Sequence, residues 1–122
     1  MKYLLLLIFP VLLLTSCDSE SSLRVRNQLP YAVVENVDWG GIPVSSQIIP
    51  GETSQKITIM ENEMYYNIHL PSAFPLKFYI NVNGDRVFVQ TRKSYLLNRD
   101  NDLTIDLCDT TQVFNPLMDK TN

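Results

Sequence analysis

The chain has little of what most enzymes and metalloproteins are built from. Its 122 residues include one histidine, two cysteines and one tryptophan. The lone His69 cannot build a multi-histidine zinc centre, and neither HExxH nor CxxC occurs. No serine or cysteine stands in a nucleophile elbow. A triad through His69 would need distant residues and has no local signal, so His69 reads as a solvated strand residue. The acidic residues form no close pair in a glycosidase context. These absences predict a protein that is not an enzyme and uses no cofactor and no metal.

Positive charge is scarce as well. Ten Lys and Arg stand against thirteen Asp and Glu, for a net charge of −3. Scattered cations on an acidic chain give no footprint for nucleic acid and no attraction to anionic headgroups. Helical periodicity is also missing: between 23 and 108 no stretch keeps an i, i+3, i+4, i+7 apolar pattern for three turns. The one long apolar run, 3–14, has twelve residues, against the roughly 20 that cross a bilayer as a helix.

That run follows a single basic residue, Lys2, and ends in Leu14-Thr15-Ser16-Cys17. A short apolar stretch behind a positive charge, closed by small residues, is an export signal. Leu14-Thr15-Ser16-Cys17 resembles the lipobox of bacterial lipoproteins. The resemblance implies cleavage by signal peptidase II between Ser16 and Cys17, a diacylglyceryl thioether on Cys17 and an acylated new amino group. Two or three acyl chains hold a protein on a membrane where one binds only marginally. The polar stretch Asp18-Ser19-Glu20-Ser21-Ser22 suits a tether. An Asp after the Cys resembles the inner-membrane retention signal of enterobacterial lipoproteins. Acidic and serine residues there resemble the surface-export signal of Bacteroidetes lipoproteins, which the short Leu-rich leader also resembles. The expected location is the outer membrane, with the leaflet left open.

Removing 1–16 leaves 106 residues, the size of one sandwich domain. The expected organisation is a signal peptide at 1–16, a lipidated tether at 17–22, a β domain at 23–108 and a tail at 109–122 that either docks on an edge or frays beyond Pro116. With Cys17 lipidated, Cys108 has no disulfide partner. It has no basic neighbour in sequence to activate it, and reads as a small half-buried residue near a strand end.

Runs rich in Val, Ile, Tyr and Phe alternate with polar residues and are punctuated by Pro and Gly, the pattern of an all-β sandwich or barrel. Strands are predicted at 23–26, with Leu23 and Val25 inward, and at 32–39. In the second, Val34, Val37 and Trp39 stay in phase only with a β-bulge near Glu35-Asn36. Further strands are predicted at 44–49, 55–59 and 65–70, with a type II turn at Pro50-Gly51. Asn83-Gly84 is the preferred centre of a type I′ hairpin turn. Its register opposes Val82 to Asp85, Ile80 to Val87, Phe78 to Val89 and Leu76 to Thr91, with Tyr79 and Phe88 paired on the other face. A second hairpin is predicted between 93–97 and 103–107, pairing Leu97 with Leu103 and Tyr95 with Ile105.

The expected fold is a seven- to eight-stranded antiparallel two-sheet sandwich, immunoglobulin-like or transthyretin-like, with a small closed barrel as the alternative. The segments Asn27-Gln28-Leu29-Pro30-Tyr31, Val37-Asp38-Trp39-Gly40 and Ile49-Pro50-Gly51-Glu52-Thr53-Ser54 are similar to small β-sandwich lipoproteins of Bacteroidetes, a resemblance that implies no activity. Oxygen ligands at alternate positions of 98–102, with Asp109 at the twelfth, resemble part of an EF-hand loop. Leu103 stands where that loop needs Gly, and no helices flank it. Tyr65, Tyr79 and Phe88 are the candidate ligand-binding residues. The expected function is a lipid-anchored envelope module that binds another protein, with a carbohydrate- or ligand-binding module, and so a glycan partner, as the alternative.

Overall fold

The computed structural model describes residues 20–59 and 68–118. Eight strands run in order: β1 (Ser21–Asn27), β2 (Val33–Trp39), β3 (Ile42–Ile48), β4 (Ile57–Ile59), β5 (Ser72–Val82), β6 (Asp85–Leu97), β7 (Asp102–Leu107) and β8 (Val113–Phe114). They form two sheets, β4-β1-β7 and β3-β2-β5-β6-β8. Among the described residues there is no helix, and the two sheets do not join into a barrel. The inward residues of both sheets close one core around Trp39, Phe78, Leu23, Ile48, Leu76 and Ile105.

Local chemistry explains most of these elements. Between the pairs Glu35↔Tyr79 and Asp38↔Lys77, two residues of β2, Asn36 and Val37, stand against one of β5, Phe78. Asn36 takes φ 51° at this bulge, a left-handed conformation that Asn tolerates better than most residues. The extra residue restores the phase, so Val34, Val37 and Trp39 are all buried. At the β5–β6 hairpin, Asn83 and Gly84 both have positive φ, as a type I′ turn requires. The register runs as expected from Val82↔Asp85 through Ile80↔Val87 to Lys77↔Gln90. The turn at 49–52 is closed by the Glu52 amide, which donates to the Ile49 carbonyl at 3.0 Å.

Several expectations need correction. The β5–β6 ladder does not pair Leu76 with Thr91 backbone to backbone. It slips, resuming at Pro75↔Ser94, and the Leu76 amide instead donates to the buried Thr91 hydroxyl at 2.9 Å. Pro75 has no amide to offer the ladder, and the bulge beside it lets both strands continue to Ser72 and Leu97. The second hairpin does not form. The stretch 94–97 of β6 pairs with 72–75 of β5, and β7 pairs in parallel with β1, Leu23↔Leu103 through Asn27↔Leu107. This is the only parallel pair among the described strands. The reason lies at the loop 98–101. Ser21 Oγ donates to the Asn98 carbonyl and accepts from the Asp100 amide, both at 3.0 Å. The loop is thus tied to the start of β1, and the chain arches from one sheet to the other.

Of the tether expected at 17–22, Ser21 and Ser22 lie in β1 and are buried, while 17–19 lie outside the described residues. The tail contributes β8, paired with β6 at Gln90↔Phe114 and Thr91↔Val113. Of the strand expected at 65–70, residues 65–67 lie outside the described residues. Residues 68–70 are not in a strand, although Ile68 and Leu70 are buried on either side of an exposed His69.

Candidate functional site: the cleft between two strand edges

A three-stranded sheet cannot cover a five-stranded one. Beyond Thr91, β6 pairs only with β5, and β7 pairs only with β1. Between their free edges lies a cleft of about 580 Å³. Arg92, Lys93 and Tyr95 line it from β6, Leu103, Thr104, Ile105 and Asp106 from β7, and Thr110, Thr111 and Gln112 from the link to β8. One end is closed by the Arg92 amide, which donates to the Gln112 carbonyl at 2.9 Å.

The two lips differ in charge. On β7, Asp106 is neutralised by Arg26 at 2.7 Å. On β6, Arg92 and Lys93 are exposed, and neither forms an ion pair among the described residues. Their cations lie over rings instead, Arg92 at 4.9 Å from the Phe114 centroid and Lys93 at 5.4 Å from that of Tyr95. Burial, with the Cys108 thiol nearby, pushes the Tyr95 phenol up. The Tyr95 carbonyl accepts the Trp39 indole N–H at 3.1 Å, which fixes the floor of the cleft to the core.

The aromatic pair expected from sequence is present. Tyr79 and Phe88 are half-buried with ring centroids 5.1 Å apart. Arg86 lies over the Tyr79 ring at 4.3 Å and is held there by Glu35 at 2.7 Å. Glu35 also accepts from Asn81 at 3.1 Å. One face of Tyr79 is therefore taken by the chain's own guanidinium. Phe114, one ladder pair away on β8 and facing the same side, was not foreseen, because nothing local marks its two-residue strand. Tyr65, Ser16 and Cys17 lie outside the described residues.

Comparison with known protein families, curated proteins and solved structures returns no match.

The remaining residues marked by sequence fall into structural roles. The 98–102 loop serves β1: Ser22 Oγ donates to Asp102, and the Ser22 amide donates to the Asn101 carbonyl at 2.9 Å. The Ser22 hydroxyl, and after it Lys56, holds the Asp102 carboxyl below its usual range. Asp109 lies beyond the far end of the six-residue β7, about 20 Å from Asp102 at strand rise. The partial calcium pattern is therefore not assembled, and no group of three His, Cys, Asp or Glu is placed for a metal among the described residues. Cys108 is half-buried past the end of β7. Its Sγ lies 3.1 Å from Thr110 Oγ1 and 3.7 Å from Thr111 Oγ1, and these hydroxyls lower its pKa. The activation that no basic neighbour supplies thus comes from hydrogen bonds.

Proposed function

We propose that this chain is a non-catalytic, lipid-anchored module of a bacterial envelope whose β-sandwich binds another protein. The observation that carries the binding half is the pair of unpaired strand edges bounding one cleft. Free backbone amides and carbonyls at a sheet edge are templates for another chain, and adding a strand there is a recurrent mode of peptide recognition. The carbohydrate alternative draws on Tyr79 and Phe88, whose rings are engaged with each other and with Arg86, leaving less ring face for a sugar.

The anchoring half rests on Leu14-Thr15-Ser16-Cys17, and the outer membrane is its proposed site. Cys17→Ser removes lipid labelling and releases the protein from the membrane fraction. A variant that still partitions fully with membranes overturns the anchor. A photo-crosslinker placed along the free edges in intact cells tests the binding half, which predicts capture of a defined protein.

A further inference from the structure

We infer that the β6–β7 cleft is a slot for one extended, acidic polypeptide segment, which adds to the sandwich as a strand. The inference rests on the protein-binding reading above and supplies the chemistry of the partner.

The backbone sets the first requirement. Along 94–97 of β6 and 102–107 of β7, each strand has a ladder partner on one side only. On β6 the Lys93 and Tyr95 carbonyls are already taken, by the Thr91 hydroxyl at 2.7 Å and the Trp39 indole at 3.1 Å. A guest strand therefore pairs with the backbone groups that remain on the two open edges, which a globular surface cannot do. The volume of about 580 Å³ lies within the range of roughly 300–1,000 Å³ for ligand clefts. Because the chain reverses through 98–101, the guest runs parallel to one lip and antiparallel to the other.

Side chains set the second requirement. Ile105 is buried, and Leu103 and Tyr95 are half-buried, so the floor is apolar. In a strand, alternate residues point to opposite faces, so the guest carries apolar residues inward at every second position. Near Gln112 the guest meets Arg92, which lies over Phe114 on the outer face, and Lys93, which lies over Tyr95 on the cleft side, while the opposing acid, Asp106, is already bound to Arg26. The uncompensated charge of the cleft is therefore positive and at one end. Carboxylates there gain charge-assisted hydrogen bonds. The same cations repel a basic strand. Cations on an edge can also serve only to prevent aggregation, and the experiment separates the two roles.

The probe is a capped eight-residue peptide alternating valine and glutamate, with its lysine counterpart and a backbone N-methylated glutamate form as controls. Binding is read from amide NMR shifts of the full-length chain in detergent micelles. The glutamate peptide shifts residues 92–95 and 103–106 and binds at least about tenfold more tightly than the lysine peptide. Arg92→Glu with Lys93→Glu removes that preference, a change of about 1.4 kcal/mol or more. N-methylation abolishes binding. Equal affinity for the two peptides, shifts elsewhere or no binding overturns the inference. A crosslinker at Thr104 in intact cells is compared with one at Ser46 on the opposite sheet edge. Capture of an acidic segment from Thr104 alone supports the slot. Capture from Ser46 alone leaves the protein-binding reading standing and removes the slot, and capture from neither removes both.

Discussion

Asn27, fully buried at the end of β1, donates its side-chain amide to the Ile48 carbonyl of β3 at 2.9 Å and so ties the small sheet to the large one. The same nitrogen donates to the Ala32 carbonyl at 2.8 Å, and Oδ1 accepts from the Leu29 amide at 2.9 Å. The Asn27 backbone carbonyl accepts from Gly51, and its amide donates to Glu52. One polar residue thus organises the 27–31 segment, the 49–52 turn and the end of β3.

Asn27→Ala removes a side-chain partner from three backbone groups, the Ala32 and Ile48 carbonyls and the Leu29 amide. Each unsatisfied group costs about 1–3 kcal/mol, softened where the backbone relaxes. The expected loss is roughly 2–4 kcal/mol of unfolding free energy, read as a lower urea midpoint with unchanged slope. A midpoint within experimental error of the parent refutes the role assigned to Asn27.

Gly40 and Gly41 both have positive φ in the β2–β3 turn, but only Gly40 is crowded. A Cβ there would lie 2.3 Å from the Phe74 ring, which packs edge-on against Trp39 at 5.0 Å. Around Gly41 there is nothing within 4 Å. Gly41→Ala should cost about 1 kcal/mol for backbone strain alone. Gly40→Ala should cost roughly 2–4 kcal/mol, because overpacking adds to strain. Thermal melts of the two variants check the difference, and equal losses would mean that Phe74 yields freely.

The Ser22–Asp102 contact makes stability depend on acid. The folded state holds the Asp102 carboxyl below its usual range. As pH falls the unfolded chain binds this proton first. The contribution is thus complete above the ordinary aspartate range and is lost as pH drops through the lower, native value. Ser22→Ala removes its main cause. Urea midpoints of parent and variant, followed from about pH 7 to about pH 2, should converge toward acid. Parallel curves would separate the hydroxyl from the linkage.

Cys108 should react as a thiol of lowered pKa. Thiolate is the reactive form, and a free cysteine titrates near about 8.5. The rate of alkylation by iodoacetamide against pH should show a midpoint below that value. Thr110→Val, which removes the leading hydrogen bond, should move it back up while the fold is unchanged. An unmoved midpoint assigns the shift elsewhere.

The legible parts of the fold were those fixed by neighbours in sequence. The Asn83-Gly84 register follows from turn chemistry and alternation acting together. The bulge at Asn36 follows from the spacing of Val34, Val37 and Trp39. The slip at Thr91 was hidden, because a side-chain hydroxyl replacing a ladder partner leaves no trace in an alternating pattern. The pairing of β7 is hidden for a related reason. A short polar loop such as 98–101 serves a hairpin and an arch equally well, and Ser21, nearly eighty residues earlier in the chain, decides between them. The cleft depends on that choice, so no motif announced it. Nothing in the sequence marks Arg92 and Lys93, whose charge stands uncompensated in the cleft because Asp106 is paired with Arg26.

By itself the sequence determined the strand-forming character of the chain and the places where it turns, because each depends on short-range sterics; the short apolar run ending at Cys17 is likewise legible as a contiguous pattern. Only the tertiary structure decided which strands meet. The partner of an edge is chosen by burial and by contacts such as Asn27 with Ile48, between residues far apart in the chain. That choice set β7 beside β1 and left it unpaired to β6, and in doing so opened the cleft between the two edges.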